Sequence, residues 1–128
     1  MTDESDFPLQ IDEDKNRKSI YCQFCDSIML KPRTALYMED EFTLPLMHQK
    51  KKPSPSQPQT QVAQEMETEN LKNFWKVKDM FTFENIGFSN TVETAKYLIC
   101  ADCEMGPVGY YDIRSKECYV ALKRVKHV

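Results

Sequence analysis

Apolar side chains along this chain fall in short runs broken by turn formers, a pattern that predicts strands rather than long helices. Ser19 to Tyr21 reads as one short strand and Ser27 to Leu30 as its partner, a hairpin closed around Cys22-Gln23-Phe24-Cys25. If that loop needs a positive φ after its second cysteine, Asp26 accepts it better than most residues other than glycine. Lys31 to Thr34 is a turn and Ala35 to Met38 a further strand. Phe42 to Leu46 alternates apolar and polar until Pro45, which lacks the amide a ladder needs and so puts this end at a sheet edge.

Leu71 to Phe88 is the most apolar stretch, and neither period fits it. Met80, Ile86 and Phe88 would share a strand face with Thr82 and Glu84, while Phe81 and Phe83 lie opposite with Asp79 and Asn85. A short helical turn near Asp79 to Phe81, leading into a strand, reconciles the pattern. Large side chains on both faces, mixed with acids, divide the stretch between core packing and a surface open to a partner. Thr94 to Ile99 predicts a strand that delivers Cys100-Ala101-Asp102-Cys103, and the glycines and proline of Glu104 to Gly109 fit a tight bend. Tyr110 to Ile113 and Cys118 to Val125 pair as a hairpin, with Cys118, Val120 and Leu122 on one face and Tyr119, Ala121 and Val125 on the other. The whole predicts a mainly β fold, a small antiparallel β domain with one short helical turn.

Two polar segments interrupt this plan. Met1 to Lys18 holds six acids, Asp3, Glu4, Asp6, Asp12, Glu13 and Asp14, and is expected to be a disordered, solvated leader in which Phe7, Leu9 and Ile11 form at most a transient strand. Residues 48–70 carry Lys50-Lys51-Lys52 and then prolines among Ser and Gln, too little apolar surface to offset ordering entropy, so a disordered insertion is expected there. One domain over residues 19–128, interrupted by that insertion, follows. Lys15, Arg17 and Lys18 place positive charge just before the first cysteine pair, where a negative metal–thiolate centre would favour it. The chain's net charge of −3 gives its average surface no attraction for nucleic acid or an anionic membrane. No apolar run is long enough to span a bilayer, and no signal segment opens the sequence, so a soluble cytosolic protein is expected.

The chemistry lies in the cysteines. The two Cys-x-x-Cys stretches are far apart in sequence, yet each can turn two sulfurs toward one point in a tight loop, and zinc takes four ligands at tetrahedral corners. One structural Zn²⁺ shared between them clamps segments that loop-closure entropy otherwise keeps apart. Disulfides fit less well, since the five cysteines are an odd number and nothing marks a secreted chain. Thioredoxin-type redox chemistry needs only one such motif, opening a helix after a buried strand, which neither stretch does. The fifth, Cys118, lies in an alternating strand, the setting of a buried or half-buried thiol.

The order CQFC, a TALY strand, WKVKDMFTFENIGF, YLICADCEMGPVG and CYVALKRV resembles one family closely. This is the Rab-interacting factor family, zinc-containing guanine-nucleotide exchange factors and chaperones of Rab GTPases, also described as mammalian suppressors of yeast secretion mutants. The match covers residues 16–48 and 71–128 and leaves out the leader and the Pro/Gln segment. The resemblance implies a fold of the β-tent kind, with zinc on Cys22, Cys25, Cys100 and Cys103 holding two hairpins together, and a surface beside the metal that binds nucleotide-free Rab. Residues matching the family's motifs on that implied surface are Asp79, Met80, Phe81, Glu84 and Asn85, with Ala101, Asp102 and Glu104. Their chemistry suits the task. A GTPase holds its nucleotide through a phosphate loop, a lysine and Mg²⁺, so carboxylates can pair with the basic groups that phosphate vacates while Met80 and Phe81 pack on apolar surface. The implied activity is nucleotide release and the holding of an empty GTPase in vesicular transport, by a cytosolic monomer and without covalent chemistry.

Two other classes compete. The zinc-bridged β plan also resembles R-specific methionine sulfoxide reductases, whose nucleophile would be Cys118, but Lys116-Glu117-Cys118-Tyr119-Val120 lacks the arginine and asparagine that this resemblance requires. A nucleic-acid-binding zinc ribbon would need aromatics interleaved with a basic stripe, and the charge here is acidic.

Overall fold

In the computed structural model of the chain, residues 4–49, 68–92 and 95–128 are described. Most of the expected insertion, residues 50–67, lies outside the described residues. Its two edges do not, and they are strands. The strands in chain order are β1 (Ile11–Asp12), β2 (Lys15–Asn16), β3 (Ile20–Tyr21), β4 (Ile28–Leu30), β5 (Leu36–Pro45) and β6 (His48–Gln49). After the undescribed segment come β7 (Thr68–Val77), β8 (Gly87–Val92), β9 (Ala95–Ile99), β10 (Met105–Gly106), β11 (Gly109–Asp112), β12 (Glu117–Ala121) and β13 (Lys126–His127). The only helical pieces among the described residues are 3-10 turns over Glu4–Gln10, Met80–Thr82 and Leu122–Arg124. The fold is mainly antiparallel β, as the sequence pattern predicts.

Eight strands form one antiparallel sheet in the order β1-β2-β5-β7-β12-β11-β9-β8; β13, β3 and β4 form a second, and β6 pairs with β10. Alternation along the central strands feeds two cores. Trp75 and Val77 of β7 and Cys118 and Val120 of β12 face the small sheet, packing with Ile20, Met29, Leu30 and Leu98. Their neighbours Phe74, Tyr119 and Ala121 face the other way, with Leu44, Leu71 and Tyr110. On that far side Tyr110 stacks between Phe42 (centroids 3.7 Å) and Tyr119 (4.8 Å). Central strands apolar on both faces explain why no simple two-fold pattern emerges around Leu71 to Val77. Each fully buried large side chain contributes about 1.5–3 kcal/mol by leaving water. At Gly109 a Cβ would run into the Tyr119 carbonyl, so only glycine lets β11 lie this close to β12.

Four expectations need correction. The acidic leader is not a tail from residue 4 onward: Phe7 is buried, and Glu13 and Asp14, with φ of 51° and 66°, close a two-residue hairpin between β1 and β2. Its anchor is Asn16, fully buried, whose amide donates to the Lys18 and Lys31 carbonyls and whose oxygen accepts from the Thr34 and Ala35 amides, each at 2.9 Å. A carboxamide with all four bonds made inside the fold costs little to bury and fixes the loops it touches. Ala35–Met38 and Phe42–Leu46 are not separate strands but one, β5, continuous through a bulge between Glu39 and Phe42. The insertion is bounded more tightly than 48–70, since His48–Gln49 and Thr68 onward are paired.

The last strand ends at Ala121, not Val125. The 3-10 turn at Leu122–Arg124 resets the alternation, so Val125 joins Cys118 and Val120 in the core instead of the Tyr119 face. The basic C-terminal segment packs into the fold. Arg124 is 4% exposed; its guanidinium donates to the carbonyls of Pro45 (2.9 Å) and Pro107 (2.7 Å) and pairs with Glu69 at 3.1 Å. Beyond it β13 completes the small sheet, and Trp75 Nε1 donates to His127 Nε2 at 2.9 Å. Burial, with the charge of Lys18 adding to it, pushes the His127 imidazole down to about 4.

Candidate metal centre and the hollow beside it

Two loops of the same backbone design meet at one point. The first leaves β3 and returns through β4; the second leaves β9 and returns through β10. In each, the first cysteine's amide donates to the carbonyl five residues on, Cys22 to Ser27 at 2.9 Å and Cys100 to Met105 at 3.0 Å. In each, the residue after the second cysteine donates back to the first cysteine's carbonyl, Asp26 at 3.1 Å and Glu104 at 2.8 Å, and carries a φ of 61°. Asp26 thus takes the left-handed conformation its position suggested. The knuckles point their cysteines inward: Cys22 and Cys100 are buried, Cys103 half-buried and Cys25 exposed.

All four sulfurs lie within 4.8 Å of one another, with Cys22–Cys103 and Cys25–Cys100 each at 3.6 Å. A tetrahedral ion with metal–sulfur bonds of about 2.3 Å needs sulfurs about 3.8 Å apart, so the set fits one metal ion. Four thiolates this close repel by roughly 4 kcal/mol per pair even at an effective dielectric of 20, a cost that a bound cation offsets. Without one, protons are shared unevenly. Burial pushes Cys103 up to about 12, aided by bonds to the other three thiols. At Cys25 burial acts the same way but is outweighed by hydrogen bonding to the side chain and backbone of Ser27, which brings it down to about 7. Burial likewise raises Cys22.

Outside the sulfurs, a ring of polar contacts fixes the knuckles to each other. The Cys25 thiol lies 3.3 Å from Ser27 Oγ, and the Ser27 hydroxyl donates to the Asp102 carboxylate across the two loops. Asn85 braces the second knuckle, accepting from the Ala101 amide at 2.9 Å and donating to Cys100 Sγ at 3.5 Å. The neighbouring Glu84 amide donates to the Met29 carbonyl of β4 at 2.8 Å. Such outer contacts orient metal ligands and are felt in affinity. Lys126 pairs with Asp26 on the first knuckle, which brings a cation from the C-terminus beside this centre.

Next to the second knuckle is an open hollow of about 440 Å³ lined by Met80, Phe81, Phe83, Glu84, Asn85, Ile86, Phe88, Ala101 and Asp102. The 3-10 turn forms its rim. Asp79 caps that turn, its carboxylate accepting from the Phe81 amide at 2.9 Å, and Phe81 stands 85% exposed at the crest. Six of the eight residues named from the motifs, Met80, Phe81, Glu84, Asn85, Ala101 and Asp102, therefore line one hollow. Asp79 lies behind the rim, and Glu104 sits on the inner turn of its knuckle. Sequence reasoning missed Ser27 as the link between loops and Asn85 as a brace. It also missed that Asp26 and Glu104 repeat one another, although an acid after each Cys-x-x-Cys was visible. Cys118 is fully buried and pushed up to about 12 by burial and the charge of Asp79, the reverse of what a thiolate nucleophile requires.

An antiparallel β fold with two cysteine knuckles converging on one point that can hold a metal ion, flanked by an acidic and apolar hollow, defines a class of small β proteins with a four-cysteine metal-binding group. Within that class the chain belongs to the Mss4 family, whose model, described as Mss4 protein, matches residues 15–127. It is 52% identical over 127 residues to a protein of Drosophila melanogaster named guanine nucleotide exchange factor MSS4 homolog, covering 99% of this chain and 98% of that one. It is 29% identical over 99 residues to a protein of the same name from Schizosaccharomyces pombe, covering 77% of this chain and 85% of the relative.

Proposed function

We propose that this protein is a guanine-nucleotide-releasing factor for Rab-type small GTPases. It binds the nucleotide-free form through the hollow beside the second knuckle and holds the empty GTPase as a chaperone in vesicular transport. The ion on Cys22, Cys25, Cys100 and Cys103 is one structural Zn²⁺, which the all-sulfur donor set favours over harder cations. The protein acts in the cytosol as a monomer and carries out no covalent chemistry.

The observation that carries this reading is the surface itself: an aromatic side chain 85% exposed on a capped turn, beside the carboxylates of Glu84 and Asp102, the latter on the second knuckle. A phenylalanine left in water this fully is unfavourable in isolation and suits a partner's apolar surface. Glu84 and Asp102 supply negative charge where an emptied GTPase presents the cations that phosphate had neutralised. The relatives' shared name, guanine nucleotide exchange factor, supports the same assignment.

Exchange then follows from differential affinity. A protein that binds the empty GTPase far better than the loaded one must, by linkage, weaken the nucleotide by the same factor. The test is capture of a panel of small GTPases with and without excess GDP and Mg²⁺. Selective retention of Rab proteins that GDP reverses is expected, and retention indifferent to nucleotide contradicts the proposal.

A further inference from the structure

The turn bearing Phe81 separates two depressions of opposite character. On one side is the acidic and apolar hollow; on the other is a second hollow of about 240 Å³, whose lining includes Lys15, Arg33, Lys76, Lys78, Asp79 and Thr82. Four cations and one carboxylate face it, in a chain whose net charge is −3. Arg33 is paired with Asp12 (2.7 Å) and Glu13 (3.0 Å), and Lys76 with Glu117 (3.5 Å). Lys15 and Lys78 have no such partner among the described residues, and the Asp79 carboxylate is turned to the cap of its own turn. Two ammonium groups thus share a concave site with Asp79 and Thr82, residues flanking Phe81 on the proposed GTPase surface.

We infer that this basic hollow is a second contact of the same interface, taking a carboxylate-bearing segment of the GTPase that the acidic hollow engages. The inference rests on the proposed function and extends it: the partner sits astride Phe81, its basic groups toward Glu84 and Asp102 and its acidic groups toward Lys15 and Lys78. The arrangement is continuous, since Asp79 and Thr82 border the basic side and Met80 and Phe81 the acidic one. Exposed cations at the margin of an interface act mainly on encounter and register, and their attraction is screened by salt.

The experiment is stopped-flow association of a nucleotide-free Rab with the full chain at low and high salt. Lys15→Glu/Lys78→Glu should slow association at low salt by about tenfold or more and flatten its salt dependence, with dissociation changed less than about twofold. Lys15→Gln/Lys78→Gln should give a smaller change in the same direction and serves in place of the reversal if that variant fails to fold. Lys72→Glu, an exposed lysine elsewhere on β7, should leave association unchanged. Unaltered rates in both double variants with metal content and melting intact, or an equal slowing by Lys72→Glu, overturn the basic hollow while the proposed function stands. No binding of any empty GTPase by the parent chain overturns both.

Discussion

The two cysteine knuckles share one backbone and differ in nearly everything around it. Both close with the same pair of amide–carbonyl bonds and a φ of 61° at the acid after the second cysteine. Yet two residues past that cysteine the first knuckle has Ser27 and the second has Met105. Ser27 brings Cys25 down to about 7, whereas Cys103, with only the Met105 backbone at that place, is pushed up to about 12 by burial. The first knuckle grows from the small sheet and exposes Phe24, 53% open. The second grows from the large sheet, is braced by Asn85 and opens onto the hollow under Phe81. The Cys-x-x-Cys spacing goes with one shared backbone; the neighbouring chain decides what lies beside each knuckle.

The largest effect expected from either knuckle is ligand loss. Cys22→Ser and Cys100→Ser should each release the ion and lower Tm by more than about 15 °C or abolish a cooperative melt, because metal binding is part of folding free energy. Metal analysis with calorimetry checks this. A large asymmetry between the two would show that one sheet folds without the other.

Next comes the tether of the first knuckle's sheet to the large one, the bond from Trp75 to His127. The folded imidazole titrates near 4 instead of about 6.5, so the unfolded state binds the proton more tightly. Because burial disfavours the charged ring, stability is at its full value above pH 6.5 and falls as pH drops toward 4, by up to about 3 kcal/mol. Chemical denaturation across that window should show the loss, and His127→Gln, which keeps an acceptor, should reduce its slope.

A sharper separation of the knuckles comes from their exposed aromatics. Phe81→Ala should weaken binding of an empty GTPase by about 2 kcal/mol with metal content and Tm nearly unchanged, whereas Phe24→Ala should cost well under 1 kcal/mol. Equal losses in a binding titration would move the interface onto both loops. The smallest effect belongs to Ser27→Ala, which removes the link to Asp102: about 1 kcal/mol of stability, and metal binding that demands a higher pH because Cys25 loses the hydrogen bond favouring its thiolate.

The parts legible in the sequence were those set by local rules. Cys-x-x-Cys spacing gives two sulfurs in one loop, a left-handed Asp26 fits the turn after it, and alternation marks the strands of the hairpins. What escaped reading depends on partners far along the chain. Asn16 looks like an ordinary polar residue in an acidic leader until the carbonyl of Lys31 and the amides of Thr34 and Ala35 surround it. Arg124 seems a solvent-facing cation, but Pro45, Pro107 and Glu69, all distant in sequence, supply what a buried guanidinium needs. Val125 changes face because a 3-10 turn breaks the period, and no propensity in Leu122-Lys123-Arg124 announces it.

The central claim is that a single ion holds both knuckles, and with them the two sheets, in place. Stepwise chelation followed by metal analysis and the near-UV circular dichroism of Trp75 tests it in one titration. One ion per chain should be lost, with the Trp75 signal collapsing in proportion. A metal-free protein that keeps that signal unchanged would contradict the account.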